Sequence, residues 1–171
     1  MDNKENIFVS VLDRHKGIIF KVANTYCSDN SDKDDLIQEI ILQLWISIDR
    51  YDNKYKWSTW IYRIALNTSI SFYRKNKFRK EKTIPLSPII EISDSEEHLL
   101  DDRIVLLNRL IRELREIDKA IILLHLEGLD SQEIADIIKS TQTNVTTKVY
   151  RIKKVLKQKF DEHKNKTYGK Q

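Results

Sequence analysis

The sequence predicts an all-α protein made of two small helical domains, and three observations carry that prediction. Three Gly and two Pro are few for 171 residues rich in Leu, Ile, Lys and Glu, so helix formers abound while hairpins lack their turn residues. Apolar residues recur at three- and four-residue spacing along most of the chain. That periodicity lapses between Phe78 and Leu99, where Pro85 and Pro88 cannot sit inside a helix and Glu91, Asp94, Glu96 and Glu97 add charge without basic relief. We take 79–98 as a flexible acidic linker, with one domain over 1–78, a second over 99–165 and a tail at 166–171. The linker's acidity serves solubility or imitates a nucleic acid in a partner's basic channel.

The first helix is expected from about Glu5 to Tyr26, with Phe8, Val11, Leu12, Ile18, Ile19, Val22 and Tyr26 on one stripe. The polar cluster Ser28 to Asp34 breaks the pattern and supplies capping oxygens for a second helix over Lys33 to Ile48. Its apolar side is Leu36, Ile37, Ile40, Ile41, Leu44, Trp45 and Ile48, and its polar side is Asp35, Gln38, Glu39 and Gln43 with no basic partner. A third helix is expected from a Ser58 cap to about Lys77, with Trp60, Ile61, Ile64, Ala65 and Phe72 as core.

The second domain opens with the stripe Leu100, Ile104, Leu107, Leu110, Ile111 and Leu114. A short helix over Asp118 to Leu126 stops at Gly128, which suits the left-handed position after a helix. The next helix starts at Asp130 or Ser131, and Glu133 completes a capping box if Asp130 is the cap. From Thr141 a last helix has Val145, Val149, Ile152 and Leu156 inside. Two helices joined by about three residues, the second rich in amides and hydroxyls at its start and basic later, form a helix-turn-helix, with small Ala135 at the crossing.

Charge is segregated along the chain more than its net of +4 shows: Arg74 to Lys82 is basic, Glu91 to Asp102 acidic and Lys148 to Lys159 basic again. Cys27 is alone, so no intramolecular disulfide forms. The N-terminus lacks a signal segment and no apolar run is long enough to cross a bilayer, which sets the expectation of a soluble cytoplasmic protein. His15, His98, His125 and His163 are scattered, with no ligand spacing, nucleophile motif or phosphate loop. We therefore expect no catalytic residues, no metal and no cofactor.

The most informative stretch runs from Ser58 to Thr68, directly after the polar, tyrosine-bearing loop Asp52 to Lys56. Aromatic faces stack on unpaired bases, Arg63, Arg74, Lys75 and Lys77 neutralise phosphates, and the Asn67 amide offers a base edge both donor and acceptor. An amphipathic helix with a solvated basic end accounts for the apolar positions but not for the loop beside them.

Three motifs occur in order: Asp35-Leu36-Ile37-Gln38-Glu39 with Leu44-Trp45, then Ser58-Thr59-Trp60-Ile61-Tyr62-Arg63-Ile64-Ala65-Leu66-Asn67, then Gly128-Leu129 through Glu133-Ile134-Ala135 and Asn144-Val145. Together they resemble a bacterial sigma factor of the extracytoplasmic-function class, over nearly the whole chain. The resemblance implies a promoter-melting domain (region two) and a minus-thirty-five-binding domain (region four). It also implies as partners core RNA polymerase, through its clamp coiled coil and flap, promoter DNA as duplex and melted strand, and an anti-sigma factor. Asp35, Gln38, Glu39 and Gln43 would then dock on the clamp coiled coil. Asn53, Lys54, Tyr55, Lys56, Tyr62, Arg63, Asn67 and Arg74 would serve the minus-ten element, the loop Tyr51 to Lys56 with Tyr62 and Asn67 holding an extruded base. Gln142, Thr143, Asn144, Thr146, Thr147, Lys148 and Arg151 would meet the minus-thirty-five duplex. The chain departs from the pattern in three places. Its loop lacks the glycine and arginine often found there, Lys139 replaces the usual turn glycine, and Ser140 replaces the usual apolar residue.

Two other classes compete: a stand-alone helix-turn-helix regulator that needs no polymerase core, and a helical adaptor that binds only protein. The aromatic loop and basic third helix argue against the first, and the polar recognition helix against the second.

Overall fold

The first apolar stripe forms helix α1, Asn3–Tyr26, in a computed structural model that describes residues 3–82 and 102–168. Helix α2 spans Asn30–Ser47, three residues ahead of the expected start, because Asp29 is the cap and accepts from the Asp32 N–H at 3.0 Å. A single 3-10 turn, Ile48–Arg50, leads to the loop. Helix α3, Trp57–Lys82, corrects two expectations. The Trp60 N–H donates to the Lys56 carbonyl at 3.1 Å, so Ser58 lies within the first turn and does not cap it. At its other end the helix continues past Lys77 to Lys82, so 79–82, expected as linker, are helical. The rest of the expected linker lies outside the described residues.

These three helices close around Ile19, Val22 and Ala23 of α1, Leu36, Ile40 and Leu44 of α2, and Ile61, Ala65 and Leu66 of α3. The partly buried Trp45 meets Phe8 edge-on, with ring centroids 5.1 Å apart.

The second bundle comprises α4 (Asp102–Arg112), α5 (Glu116–Leu126), α6 (Ser131–Ile138) and α7 (Gln142–Tyr168). Leu110 and Ile111 are buried, but Ile104, expected in the stripe, is 46 % exposed in the first turn of the helix, and Leu100 lies outside the described residues. Helix α5 is buried all round from Lys119 to Leu124 because α7, α6 and α4 cover it on one side and α1 and α3 on the other. Gly128 takes φ 83°, and the Leu129 N–H returns to the Leu124 carbonyl. Helix α6 starts with the full capping box of Asp130 and Glu133. It ends at Lys139, whose φ of 56° is the left-handed conformation glycine adopts most cheaply. The Ser140 N–H closes on the Ala135 carbonyl at 2.9 Å, and Thr141 Oγ1 accepts from the Asn144 N–H at 3.2 Å to start α7. The lysine substitution therefore preserves the turn. Ala135, Ile134, Ile137, Val145 and Val149 fill the crossing of α6 and α7.

Candidate nucleic-acid interface

The loop between the 3-10 turn and α3 is short, polar and internally braced. The Asp52 side chain accepts from the Lys54 N–H at 3.1 Å and its carbonyl from the Tyr55 N–H at 3.1 Å, which folds the loop back on itself. Tyr51 stacks on Trp57 with centroids 3.5 Å apart, and both meet Trp60 edge-on. The Tyr51 O–H donates to the Tyr55 carbonyl at 2.6 Å. This stack ties the loop to the first turn of α3 and leaves Asn53, Lys54, Tyr55 and Lys56 exposed. The sequence reading placed Tyr51 in the loop but missed the bracing pair it forms with Trp57. Two aromatics flanking a polar loop were the available signal.

Along α3 the expected residues divide. Asn67 is exposed and faces solvent, one turn beyond Arg63. The Arg63 guanidinium lies 5.0 Å from the Tyr55 ring centre and donates through Nη2 to the Asp136 carbonyl of α6 at 2.9 Å. Tyr62, expected at a base pocket, is only 4 % exposed, and its O–H donates to Glu127 at 3.1 Å. Burial and the adjacent Glu127 carboxylate push that phenol well above the ordinary tyrosine range. Arg74 pairs with Glu116 at 3.0 Å. Glu116 is held below the usual carboxylate value by its own backbone N–H at the start of α5, and then by Arg74.

The helix-turn-helix presents Gln142, Thr143, Asn144, Thr146, Thr147 and Arg151 to solvent, while Val145, Val149, Ile152 and Leu156 face inward. Not all of those polar groups are free. The Thr146 and Thr147 hydroxyls donate back to the Gln142 and Thr143 carbonyls, and the Asn144 amide donates to Ser140 Oγ at 2.8 Å. Lys148 is half-buried and paired with Asp118 at 3.2 Å. Gln142, Thr143 and Arg151 remain the open side chains of that surface.

On α2, Asp35 and Gln38 are exposed and Glu39 and Gln43 half-buried, with Gln43 Nε2 donating to Glu39 at 2.9 Å. Exposed Leu42 and Ile46 lie one and two turns beyond Gln38 on the same helix. A polar face carrying two uncovered apolar side chains has the composition of a protein-docking surface. Among the described residues no cluster of three or more metal-ligating side chains occurs, and no helix is long and apolar enough to cross a membrane.

The two domains match two family models in the same order: "Sigma-70 region 2" over residues 11–79 and "Sigma-70, region 4" over 104–156. Among similar proteins, the RNA polymerase sigma factor SigV of Bacillus subtilis is 29 % identical over 153 residues, covering 88 % of this chain and 89 % of SigV. The ECF RNA polymerase sigma-E factor of Haemophilus influenzae is 27 % identical over 170 residues, covering 91 % of this chain and 86 % of that protein. The fold is shared with CnrH, solved with the cytosolic domain of CnrY (TM-score 0.64, 18 % identity, 92 % of this chain and 90 % of that one). It is shared equally with RpoE of Bartonella quintana, solved with the anti-sigma factor NepR (TM-score 0.63, 18 % identity, 95 % and 98 %). The chain belongs to the sigma-70 family of bacterial RNA polymerase sigma factors, in its extracytoplasmic-function class. It is thus a promoter-specificity factor for transcription initiation. A stand-alone regulator would need only the second of the two matched regions.

Proposed function

We propose that the braced loop and α3 capture a base from the melted minus-ten strand, while α7 reads the minus-thirty-five duplex and the polar face of α2 docks on the polymerase clamp coiled coil. The observation that carries this is the juxtaposition of loop and helix. Stacking of Tyr51 on Trp57 fixes Asn53 to Lys56 against the first turn of α3, the helix that carries exposed Asn67 further along, so the loop is preordered and little ordering entropy is lost on capture. Strand opening is then driven by binding flipped bases and requires no hydrolysis. Asn67 offers a base edge a bidentate amide, Lys54 and Lys56 lie near the strand's phosphates, and Arg63 and Arg74 extend the surface along α3, with Tyr62 buried behind them against Glu127.

On α7, Gln142, Thr143 and Asn144 sit at the start of the recognition helix, where base edges are reached. Thr146, Thr147 and Lys148 follow, and Arg151 and Lys154 are placed for phosphates. Asp35, Gln38, Glu39 and Gln43 form the polymerase contact, and the second domain meets the flap. The domain limits that go with these roles are 1–78, 79–98, 99–165 and the tail 166–171, moved by α3, which carries the first domain through 79–82, and by α7, which runs into the tail as far as Tyr168. An anti-sigma factor is a further partner, as it is for RpoE of Bartonella quintana, and the site of action is the cytoplasm, with no membrane insertion.

Run-off transcription with purified bacterial core polymerase over a promoter library, with and without this protein, tests the proposal. Output that depends on both the protein and a shared promoter sequence supports it. No output, or output indifferent to promoter sequence, overturns it.

A further inference from the structure

Tyr150 of α7 is 70 % exposed, more than any other large apolar or aromatic side chain among the described residues. Among those residues it makes no hydrogen bond and no ring contact. A ring left in water forfeits the burial that favours aromatic side chains, so its place on the helix is informative. Positions 143, 147, 150 and 154 follow at helical spacing, which puts Thr143, Thr147, Tyr150 and Lys154 on one face. Val145, Val149, Ile152 and Leu156 occupy the opposite face, inside the bundle.

The chemistry changes along that face. The Thr146 and Thr147 hydroxyls are spent on carbonyls of their own helix, so what these residues offer outward is a methyl group. A helical side chain leans toward the preceding turn, so the Tyr150 ring belongs with that methyl surface and not with the lysines that follow. Arg151, Lys153, Lys154 and Lys157 are exposed and have no ion pair among the described residues, whereas Lys148 and Lys159 pair with Asp118 and Glu113 of the bundle. Free cations around a lone ring suit a polyanion better than an apolar protein surface. The other exposed apolar side chain of α7, Val155, lies about 140° round the helix, too far to share a patch. At about 1.5 Å per residue, Tyr150 lies about 12 Å beyond Gln142, close to the width of a major groove, and the free cations begin one residue further on.

We propose that Tyr150 is a specificity-determining residue of the minus-thirty-five contact, its ring packing on the C5-methyl group of a thymine. Among the four standard bases only thymine carries a methyl in the major groove, and an apolar side chain reads it by taking it out of water. Arg151, Lys153 and Lys154, on the flanking phosphates, hold the ring in register. The rival contact, the phenol O–H on a phosphate oxygen, carries no sequence information. The proposal rests on the assignment of α7 to the minus-thirty-five duplex, and its test separates the two.

The experiment uses holoenzyme assembled from core polymerase, on promoter duplexes in which each minus-thirty-five thymine in turn is replaced by deoxyuridine. That base keeps the pairing edge of thymine and lacks only the methyl. Wild type, Tyr150→Phe and Tyr150→Ala are compared by competition binding, with circular dichroism to check helical content, which changes at an exposed position leave intact. Wild type and Tyr150→Phe should each lose about fourfold in affinity at one thymine, the worth of one methyl withdrawn from water. Tyr150→Ala should bind the parent duplex at least as weakly as wild type binds that deoxyuridine duplex, and should be indifferent to the replacement there. A Tyr150→Ala protein that keeps the full methyl effect, or a wild type that shows none at any thymine, overturns the proposal. Equal loss on every duplex by Tyr150→Phe, with the methyl effect untouched by alanine, overturns it in favour of the phosphate contact. A holoenzyme with no preference among minus-thirty-five sequences overturns the reading of α7 beneath it as well.

Discussion

Lys139 tests how the helix-turn-helix corner is built. Among the described residues it is the one non-glycine position of positive φ, at φ 56° and ψ 54°. A side chain in that region costs roughly 1 to 2 kcal/mol. Glycine would remove the cost, but it also widens the unfolded ensemble by about 0.4 to 1 kcal/mol. The difference leaves Lys139→Gly more stable than wild type by up to about 1.6 kcal/mol, and by about 0.8 kcal/mol at the midpoints of the two ranges. Space is not the constraint, since the residue is exposed. A β-branched side chain is tolerated less well at positive φ, so Lys139→Val should fall below wild type by about 1 kcal/mol or more. Urea unfolding of the three proteins, followed by circular dichroism with a common slope, reads these differences directly. Affinity for a minus-thirty-five duplex should follow the same order, because this residue sets the angle at which α7 leaves α6. A valine variant as stable as wild type, together with a glycine variant less stable, would refute the reasoning.

Lys119→Ala removes three buried methylenes, worth about 2.4 kcal/mol, and adds a cavity, so calorimetry should show a loss of about 2 to 4 kcal/mol. Asp35→Lys with Glu39→Lys should weaken binding to core polymerase with helical content unchanged, since charge swaps at such positions seldom unfold a domain; pull-down and circular dichroism check the two halves. Alanine at Gln142, Thr143 or Asn144 should change the preferred minus-thirty-five sequence. Alanine at Arg151 or Lys154 should weaken all sequences alike and flatten the salt dependence by roughly one unit of slope per lost phosphate contact; salt titrations on a duplex panel distinguish the two behaviours.

The legibility of this chain in its sequence follows the range of the interactions involved. Helix stripes and the Asp130 and Glu133 capping box are local, and they appear where spacing placed them. Gly128 takes the left-handed position expected of it for the same reason, whereas nothing in a lysine signals the left-handed conformation of Lys139, which was visible only as the residue standing where the resemblance puts a glycine. The start of α2 was three residues off because Ser28 to Asp34 holds several competent caps, and only the backbone shows that Asp29 is used. Burial that depends on the other domain was not readable. Tyr62 meets Glu127 at the end of α5, and Lys119 looks in sequence like any solvated lysine beside an acid until α1 and α3 cover it. Ile104 errs the other way, an apolar residue of the stripe that no described element covers. For the candidate site, the exposure of the loop, of Asn67 and of the polar start of α7 was legible, because these polar residues lie off the apolar stripes of their helices. The commitment of Thr146, Thr147 and Lys148 to partners within their own domain was not.

The central claim is that the loop Asp52 to Lys56 and Asn67 hold a base taken from the minus-ten strand. Permanganate footprinting of unpaired thymines tests it most directly, on matched promoters differing at one minus-ten position and with holoenzyme assembled from core polymerase. Asn67→Ala should impair opening by about 1 to 3 kcal/mol, the range of a bidentate base contact, while core binding persists. Exchanging Asp52 to Lys56 for the loop of another sigma factor should change which promoter of the matched set opens best. Footprints unchanged by both substitutions would contradict the account and leave this segment as the core of a helical bundle with a basic face.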